Sequence, residues 1–187
     1  MFKRFFDLLL VLFAILIFMI PILVVALMVW LTSNGPVLYW SDRVGRNSCV
    51  FKMPKFRSML VNTPIVATHQ LSDPKQYLTP IGSFLRKSSL DELPQLWSIL
   101  RGDMSFVGPR PALFNQDDLV ELRAEYGVDK LLPGLTGWAQ INGRDELPIP
   151  IKVKLDVEYL NNQSFLFDLR IIFLTFLKVL RRDGIQH

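Results

Sequence analysis

The first part of the chain is dominated by one apolar stretch. From Leu8 to Leu31, 24 consecutive residues carry no charged or strongly polar side chain. As a helix this stretch would be about 36 Å long, which is enough to cross the hydrocarbon core of a bilayer. It is too long for the apolar region of a cleaved signal peptide, and no small-residue cleavage site follows it. The pattern therefore predicts a membrane helix that stays attached.

Pro21 lies near the middle of this stretch and divides it into two halves, each too short to span a bilayer. A kinked helix that still crosses the membrane is one interpretation. Lys3 and Arg4 favour another, because they would hold the N-terminus on the cytoplasmic side. A full span would then place the other 19 of the 21 Lys and Arg residues outside the cell. Every candidate phosphate site would lie there too, where nucleotide substrates are absent. We therefore expect a re-entrant helix over residues 1–33 that bends at Pro21.

A short hairpin and a polar segment follow the membrane helix. Asn34-Gly35-Pro36 predicts a turn. Two strands on either side of Gly45–Ser48 are predicted to pair: Val37–Trp40 and Val50–Met53. The segment from Leu60 to Pro80 is polar, interrupted by prolines and without clear periodicity, which is typical of a mobile loop.

Three helices are predicted in the rest of the chain, which makes the fold class α+β and mostly α. The first runs from about Ser89 to Leu100 and is ended by Gly102, and the second covers about Asn115–Tyr126. The last runs from about Phe165 to Arg182. Its polar side holds Asp168, Thr175, Lys178 and Arg182, and its apolar side holds Leu169, Ile172, Phe173, Phe176 and Leu180. Such a helix can lie in the headgroup plane, and packing against a core is the equal alternative.

Composition limits the classes of function. The 21 Lys and Arg residues against 17 Asp and Glu residues give a net charge of +4. This charge is too mild for a nucleic-acid-binding protein but suits anionic lipid headgroups and phosphate substrates. Cys49 is the only cysteine in the sequence, so no intrachain disulfide is possible. Because His69 and His187 are isolated, zinc is not expected, and any metal should be a hard, oxygen-ligated ion such as Mg²⁺.

The segment Ser88–Gln95 places two adjacent carboxylates, Asp91 and Glu92, behind a run of cations. One interpretation is a capping box between Ser89 and Glu92, a common way to begin a helix. The other is phosphoryl transfer, in which one carboxylate attacks phosphorus while its neighbour holds a divalent cation. The rest of the chain favours the second interpretation.

Several cations are candidates for phosphate binding. Lys55 and Arg57 lie on one side of a predicted strand, an alternation that a solvated strand would also show. Arg86 precedes the acid pair, where an exposed surface run is the default interpretation. In Phe106–Pro111, two prolines fix the backbone around Arg110, whose planar guanidinium suits bidentate phosphate binding. A rigid turn with an exposed arginine is the alternative there.

Two further blocks contain candidate contacts to a donor substrate. Pro133–Arg144 has three glycines, which would allow close approach of the backbone to a ligand or form an ordinary tight loop. Asp156 lies in the block Leu155–Tyr159, for which a solvated helix face is the alternative. The sequence contains no glycine-rich nucleotide fingerprint and no Ser/His/Asp arrangement.

Five blocks, in the same order, resemble the bacterial sugar transferase family of small monotopic phosphoglycosyl transferases. The blocks are Lys55–Met59, Ser89–Gln95, Arg101–Pro111, Pro133–Arg144 and Leu155–Tyr159. The resemblance implies transfer of a phosphosugar from a UDP-sugar to a polyprenyl phosphate, usually undecaprenyl phosphate, with release of UMP. It also implies a re-entrant helix, Mg²⁺ and an Asp-Glu dyad that matches Asp91 and Glu92. Members often carry Ser-Pro at the bend, where this chain has Ile20-Pro21.

On this resemblance the chain is expected to be an enzyme that makes the first polyprenyl-diphosphate-linked sugar of a surface glycan. Residues 34–187 would form a catalytic domain with interfacial amphipathic helices, on the cytoplasmic face of the bacterial inner membrane. Asp91 is expected to be the nucleophile and a metal ligand, and Glu92 the main Mg²⁺ ligand. Phosphate or donor contacts are expected from Lys55, Arg57, Arg86, Arg110, Gln140, Arg144 and Asp156.

The expected partners are the UDP-sugar, the polyprenyl phosphate and membrane lipids, and not nucleic acid. Later glycosyltransferases of the same pathway are candidate partners. The same residues leave two alternatives open. One is the same transfer by direct displacement, with Asp91 as a base or metal ligand only. The other is a membrane-anchored scaffold without activity, whose acids cap a helix.

Overall fold

The apolar N-terminal stretch forms a single long helix, α1 (Phe2–Thr32), with Pro21 inside it. The computed structural model of the chain describes residues 2–64, 66, 73–143 and 147–181. By length and composition, α1 is the one helix among these residues that is able to cross a membrane. Large apolar side chains are exposed along its length, among them Leu9, Leu16, Ile20, Leu27 and Leu31. The helix therefore indicates association with a membrane, and its re-entrant path stays a prediction.

The remaining elements are short and form a mostly helical α+β fold. The strands are β1 (Leu38–Val44), β2 (Val50–Phe56), β3 (Ser105–Val107), β4 (Ala112–Leu113) and β5 (Gly134–Thr136). The helices are α2 (Gly82–Ser88), α3 (Leu96–Arg101), α4 (Asp117–Glu125), α5 (Trp138–Ile141), α6 (Ile149–Asn162) and α7 (Phe165–Arg181). Short 3-10 helices cover Arg46–Ser48, Pro74–Tyr77, Leu90–Gln95 and Val128–Lys130.

Two small sheets organise these elements. The predicted hairpin is confirmed, with longer strands: β1 and β2 pair antiparallel from Leu38 opposite Phe56 to Val44 opposite Val50. Strand β4 adds to the other edge of β1, giving the order β2-β1-β4. Strands β3 and β5 pair in parallel as a separate two-stranded sheet. The connection between β3 and β4 therefore joins the two sheets, and it carries the Pro-Arg-Pro segment.

The predicted helices agree with the structure except at the first one. Helices α4 and α7 confirm the second and third predictions. The helix predicted from Ser89 to Leu100 is instead a 3-10 helix, Leu90–Gln95, followed by α3. Ser89 adopts a left-handed conformation (φ 57°) and so separates this 3-10 helix from helix α2 before it. The sequence did not predict α2. Gly102 ends α3 at φ 96°, as predicted.

Both ends of α1 are attached to the rest of the fold. Near the N-terminus, Arg4 donates to the carbonyl oxygens of Ile99 and Leu100 at 2.6 and 2.8 Å. These carbonyls belong to the last turn of α3, where a cation is favourable. Near the C-terminus, Val29 is fully buried in a cluster that includes Phe56 of β2. One helix thus packs along much of the domain that follows it.

Helix α7 buries Asp168 together with Ile171 and exposes several large apolar side chains on another side. Asp168 is buried, with its carboxylate bonded to Lys3 and to the Tyr159 hydroxyl. The hydroxyls of Thr175 and Thr136 are 2.7 Å apart. The exposed apolar side chains include Leu166, Leu169, Phe173 and Phe176. An apolar surface on this scale favours the interfacial interpretation of α7 over packing of that side in the core.

Candidate active site

Glu92 forms ion pairs with cations from two distant parts of the chain. Its Oε1 accepts a hydrogen bond from Lys55 Nζ at 2.9 Å and another from Arg110 at 3.2 Å. Lys55 comes from β2, and Arg110 comes from the connection between β3 and β4. The capping-box interpretation is wrong, because the left-handed Ser89 makes no side-chain cap bond. The Glu92 carboxylate therefore binds the two cations and does not cap a helix.

Asp91 has a different environment from its neighbour. Its side chain is buried, with the residue 7% exposed, and it makes no hydrogen bond or ion pair among the described residues. Burial raises the pKa of Asp91 to about 6, and the charge of Glu92 adds to this effect while Lys55 opposes it. Burial alone would raise the pKa of Glu92 too, but Lys55 and Arg110 outweigh it and hold that pKa well below its ordinary value. Two adjacent carboxylates thus have opposite pKa shifts, a common sign of divided catalytic roles.

Asp91 opens onto a pocket of about 710 Å³. The pocket lies between the β1–β2 hairpin, the acid-bearing 3-10 helix and the connection that carries Arg110. Its lining includes seven cationic side chains: Arg43, Lys55, Arg57, Arg86, Arg110, Arg123 and Lys152. Asp91 is the one acidic side chain among the described residues that line it. Such a wall favours an anionic ligand with several charges.

The backbone holds Arg110 rigidly at the pocket, as its two flanking prolines predicted. The N–H of Gly108 donates to the carbonyl oxygen of Thr136 at 2.9 Å. A Cβ at Gly108 would lie 2.3 Å from the carbonyl oxygen of Leu132, so this approach needs glycine. Arg123 donates to the carbonyl oxygen of Arg110 at 2.8 Å. The guanidinium of Arg110 is therefore presented from a fixed backbone.

Arg123 forms a buried ion pair with Asp156 that the sequence interpretation missed. Arg123 donates from Nε and NH2 to Asp156 Oδ2 at 3.0 and 2.7 Å, and Asp156 is 1% exposed. The solvated-face alternative for Asp156 is thus wrong, and direct contact with a donor does not fit a carboxylate occupied by Arg123. The helical spacing could have indicated this pair. Arg123 follows Leu119 by four residues and Asp156 follows Val153 by three, which places each charge on the same helix face as an apolar residue. Both charges therefore occupy core-facing helix positions.

The other predicted site residues fall at different places. Arg86 lines the pocket and lowers the pKa of Asp91 through its charge. Arg57 also lines the pocket, and its NH2 donates to Ser33. Gln140 lies on α5, where its amide donates to the carbonyl oxygen of Leu135, and the structure does not bring it to the pocket. Arg144 lies outside the described residues.

Asp91 and Glu92 are the residues that would hold the Mg²⁺ ion that the sequence predicts, with substrate completing its ligands. Both cations bond to Oε1 of Glu92, so its Oε2 and the Asp91 carboxylate have no protein partner among the described residues. Mg²⁺ usually takes one or two carboxylates together with substrate phosphates and water. The described residues contain no group of three or more Asp, Glu, His or Cys side chains placed to hold a metal ion by themselves. Phosphate oxygens and water would therefore have to supply the remaining ligands.

Comparison with known proteins identifies the family of the chain. A family model described as bacterial sugar transferase matches residues 1–182. The uncharacterised sugar transferase EpsL of Bacillus subtilis (strain 168) is 40% identical over 186 residues, which cover 98% of this chain and 90% of that protein.

Two longer relatives have more informative names. UDP-glucose:undecaprenyl-phosphate glucose-1-phosphate transferase of Escherichia coli (strain K12) is 42% identical over 174 residues, 88% of this chain and 37% of that protein. UDP-galactose-lipid carrier transferase of Erwinia amylovora is 38% identical over 199 residues, 97% of this chain and 41% of that protein. This chain thus spans about two fifths of the length of these two relatives. Because the family model extends over nearly the whole chain, the protein belongs to the bacterial sugar transferase family.

Proposed function

We propose that the protein transfers a phosphosugar from a UDP-sugar to a polyprenyl phosphate, in particular undecaprenyl phosphate. UMP is released, and the product is a polyprenyl-diphosphate-sugar, the first membrane-bound intermediate of a surface glycan. The observation that carries this proposal is Asp91, a buried carboxylate that opens onto a cationic pocket and has no hydrogen-bond or ion-pair partner among the described residues. The names of the Escherichia coli and Erwinia relatives support this class of donor, and the former names undecaprenyl phosphate.

The transfer proceeds in two steps at one phosphorus atom. An oxygen of Asp91 attacks the donor's β-phosphorus, the bond from that phosphorus to the bridging oxygen breaks, and UMP leaves with the electron pair. The phosphosugar is then linked to Asp91 as an acyl phosphate. A phosphate oxygen of the polyprenyl phosphate attacks the same phosphorus, and the Asp91 carboxylate leaves. Charge is conserved in each step, and Asp91 is regenerated.

The two acids divide the work. With a pKa of about 6, Asp91 is mostly ionised at neutral pH and hence able to attack. Glu92 stays ionised and holds Lys55 and Arg110 beside the pocket, where their charges meet the donor's phosphates. Arg86 adds a further charge near Asp91. Mg²⁺ held by Glu92 and Asp91 would stabilise the negative charge on the departing UMP.

UMP release tests the proposed function against its alternatives. Purified protein, UDP-glucose or UDP-galactose and Mg²⁺ without acceptor should release about one equivalent of UMP per enzyme, and polyprenyl phosphate should then support turnover. Release only in the presence of acceptor would indicate direct displacement. Release of UDP would indicate an ordinary glycosyltransferase, and no release from a panel of UDP-sugars would indicate a scaffold.

Arg110→Lys should slow the reaction about tenfold to a hundredfold although the charge is retained. An ammonium group cannot present two parallel N–H donors to a phosphate, and a lost charge-assisted contact costs about 1.5–3 kcal/mol. The measurement is kcat/KM for the UDP-sugar. Arg101→Lys is the matched control, because Arg101 is exposed and does not line the pocket. A folded Arg110→Lys protein with wild-type kcat/KM would mean that Arg110 is only an exposed residue of a rigid turn and does not bind the donor's phosphates.

The membrane arrangement that supports this function is monotopic, on the cytoplasmic face of the bacterial inner membrane. Arg4 at one end of α1 bonds to α3, and Ser33 just beyond the other end bonds to Arg57. A helix spanning the bilayer would hold its ends about 30 Å apart on opposite sides of the hydrocarbon core. Attachment of both ends to one domain supports a re-entrant path with a bend at Pro21.

Both ends of α1 should resist a membrane-impermeant thiol reagent in intact cells. Phe2→Cys and Asn34→Cys, each in a Cys49→Ser background, report on exposed positions at the two ends. Both should become labelled after permeabilisation, which is the control for reactivity. Labelling of position 34 alone in intact cells would establish a full span.

A further inference from the structure

Arg57 is a buried cation with no carboxylate partner in the part of the chain that the structure describes. The residue is 4% exposed, and its NH2 donates to Ser33, to the carbonyl oxygen at 2.9 Å and the hydroxyl at 2.8 Å. Its Nε and NH1 are buried without a hydrogen-bond partner, and no carboxylate among the described residues lies within ion-pair distance of it. A buried guanidinium without an anion is unfavourable, so the arrangement is suited to a ligand that supplies one.

The position of Arg57 places this charge at the edge of the pocket that adjoins α1. Ser33 immediately follows α1, and Trp30 and Leu31 in its last turn are 65% and 67% exposed. The apolar side chains of Leu60 and Val61, also largely exposed, line the same pocket. A ligand that reaches Arg57 therefore has apolar surface and the end of the membrane helix beside it.

Two other cations of the pocket have a different partner from Arg57. Lys55 and Arg110 are tied to Glu92, next to the nucleophile, whereas Arg57 is tied to Ser33. Two anionic substrates must approach the same phosphorus, and one of them is embedded in lipid. One pair of cations next to the nucleophile and a separate buried cation beside the membrane helix match this requirement.

We propose that Arg57 binds the phosphate monoester of the lipid acceptor, at a subsite distinct from the donor phosphates held by Lys55 and Arg110. This inference rests on the proposed function. Because Nε and NH1 are screened from water, the phosphate must draw the guanidinium toward the pocket to bond with them. Gly35 covers NH1 without a side chain, and a Cβ there would lie 2.2 Å from it. The absence of a side chain at Gly35 thus leaves room for the guanidinium at this place.

Separate measurement of the two half-reactions shows whether Arg57 binds the acceptor or the donor. Arg57→Lys and Arg57→Gln are compared with wild type in nanodiscs, with UMP release in the absence of acceptor reporting the first step. Discharge of the enzyme adduct by polyprenyl phosphate reports the second. We expect the KM for polyprenyl phosphate to rise about tenfold to a hundredfold, with the first step within twofold of wild type. Arg57→Lys keeps a charge beside Ser33 and so guards against loss of the fold, and Arg101→Gln is the matched control.

Equal slowing of both steps, or an unchanged KM for polyprenyl phosphate, would overturn the proposal and leave Arg57 as a structural link to α1. A binding measurement makes the test independent of turnover. Polyprenyl phosphate in the nanodisc should raise the thermal midpoint of wild type but not of Arg57→Lys. If inorganic phosphate produced the same Arg57-dependent rise, the site would recognise free phosphate rather than a lipid. If no UDP-sugar gives UMP but the lipid shift depends on Arg57, the proposed reaction fails while the lipid-phosphate site stands.

Discussion

Asp91→Asn is expected to abolish turnover, by about a thousandfold or more, while the protein stays folded and bound to membranes. The amide has nearly the same shape as the carboxylate but attacks phosphorus poorly. Intact-protein mass spectrometry of wild type with UDP-sugar and Mg²⁺, without lipid acceptor, should show one added phosphosugar that maps to Asp91. Polyprenyl phosphate should discharge it, and the Asp91→Asn protein should show no adduct.

Stability provides the control for this variant. Because the pKa of Asp91 is raised from 3.8 to about 6 on folding, the ionised form is disfavoured in the fold. The stabilisation from the protonated form is fully present below the unfolded pKa of 3.8 and is lost as pH rises from there through about 6, whereas the asparagine stays neutral. Metal-free Asp91→Asn should therefore be more stable than wild type at pH 8, by up to about 3 kcal/mol, and the difference should vanish well below pH 3.8. Activity in Asp91→Asn, or turnover of wild type without an adduct in rapid quench, would contradict the two-step mechanism.

Asp156→Ala is expected to lower the free energy of unfolding by about 3–5 kcal/mol, the largest loss of stability that we predict for a single substitution. The change leaves the charge of Arg123 buried without its partner. It also loosens the side chain that bonds to the carbonyl oxygen of Arg110, so kcat/KM should fall as well. Denaturant unfolding measures the stability, and UMP release measures the activity.

Glu158→Ala is the matched control for Asp156→Ala, because Glu158 is exposed on the same helix two residues away. Its effect should be within about 0.5 kcal/mol. If Asp156→Ala destabilised the protein no more than Glu158→Ala does, the ion pair would not hold Arg123 in place. A double variant, Arg123→Met with Asp156→Leu, should recover stability but not activity, since apolar side chains of similar volume can replace a buried pair.

Several parts of the fold were accessible from local sequence patterns. The length of the apolar stretch predicted α1, turn residues predicted the β1–β2 hairpin, and helix start and stop signals predicted α4. These features depend on residues within about one element of each other. The same local rules failed at Ser89, where capping chemistry suggested one continuous helix. Its left-handed backbone ends α2, where the Ser89 N–H donates to the carbonyl oxygens of Leu85 and Arg86, and the 3-10 helix begins after it.

The sequence by itself determined that the protein carries a membrane-length helix, an adjacent acid pair and cations suited to phosphate. Only the tertiary structure decided which acid has partners, because Lys55 and Arg110 reach Glu92 from 37 and 18 residues away and leave Asp91 without them. It also decided that α7 exposes its apolar side, and that Asp156 serves Arg123. Hydropathy and turn preference are short-range properties of the chain. Burial, ion pairing and the pKa of a carboxyl group depend on whichever distant residues folding brings within a few ångströms.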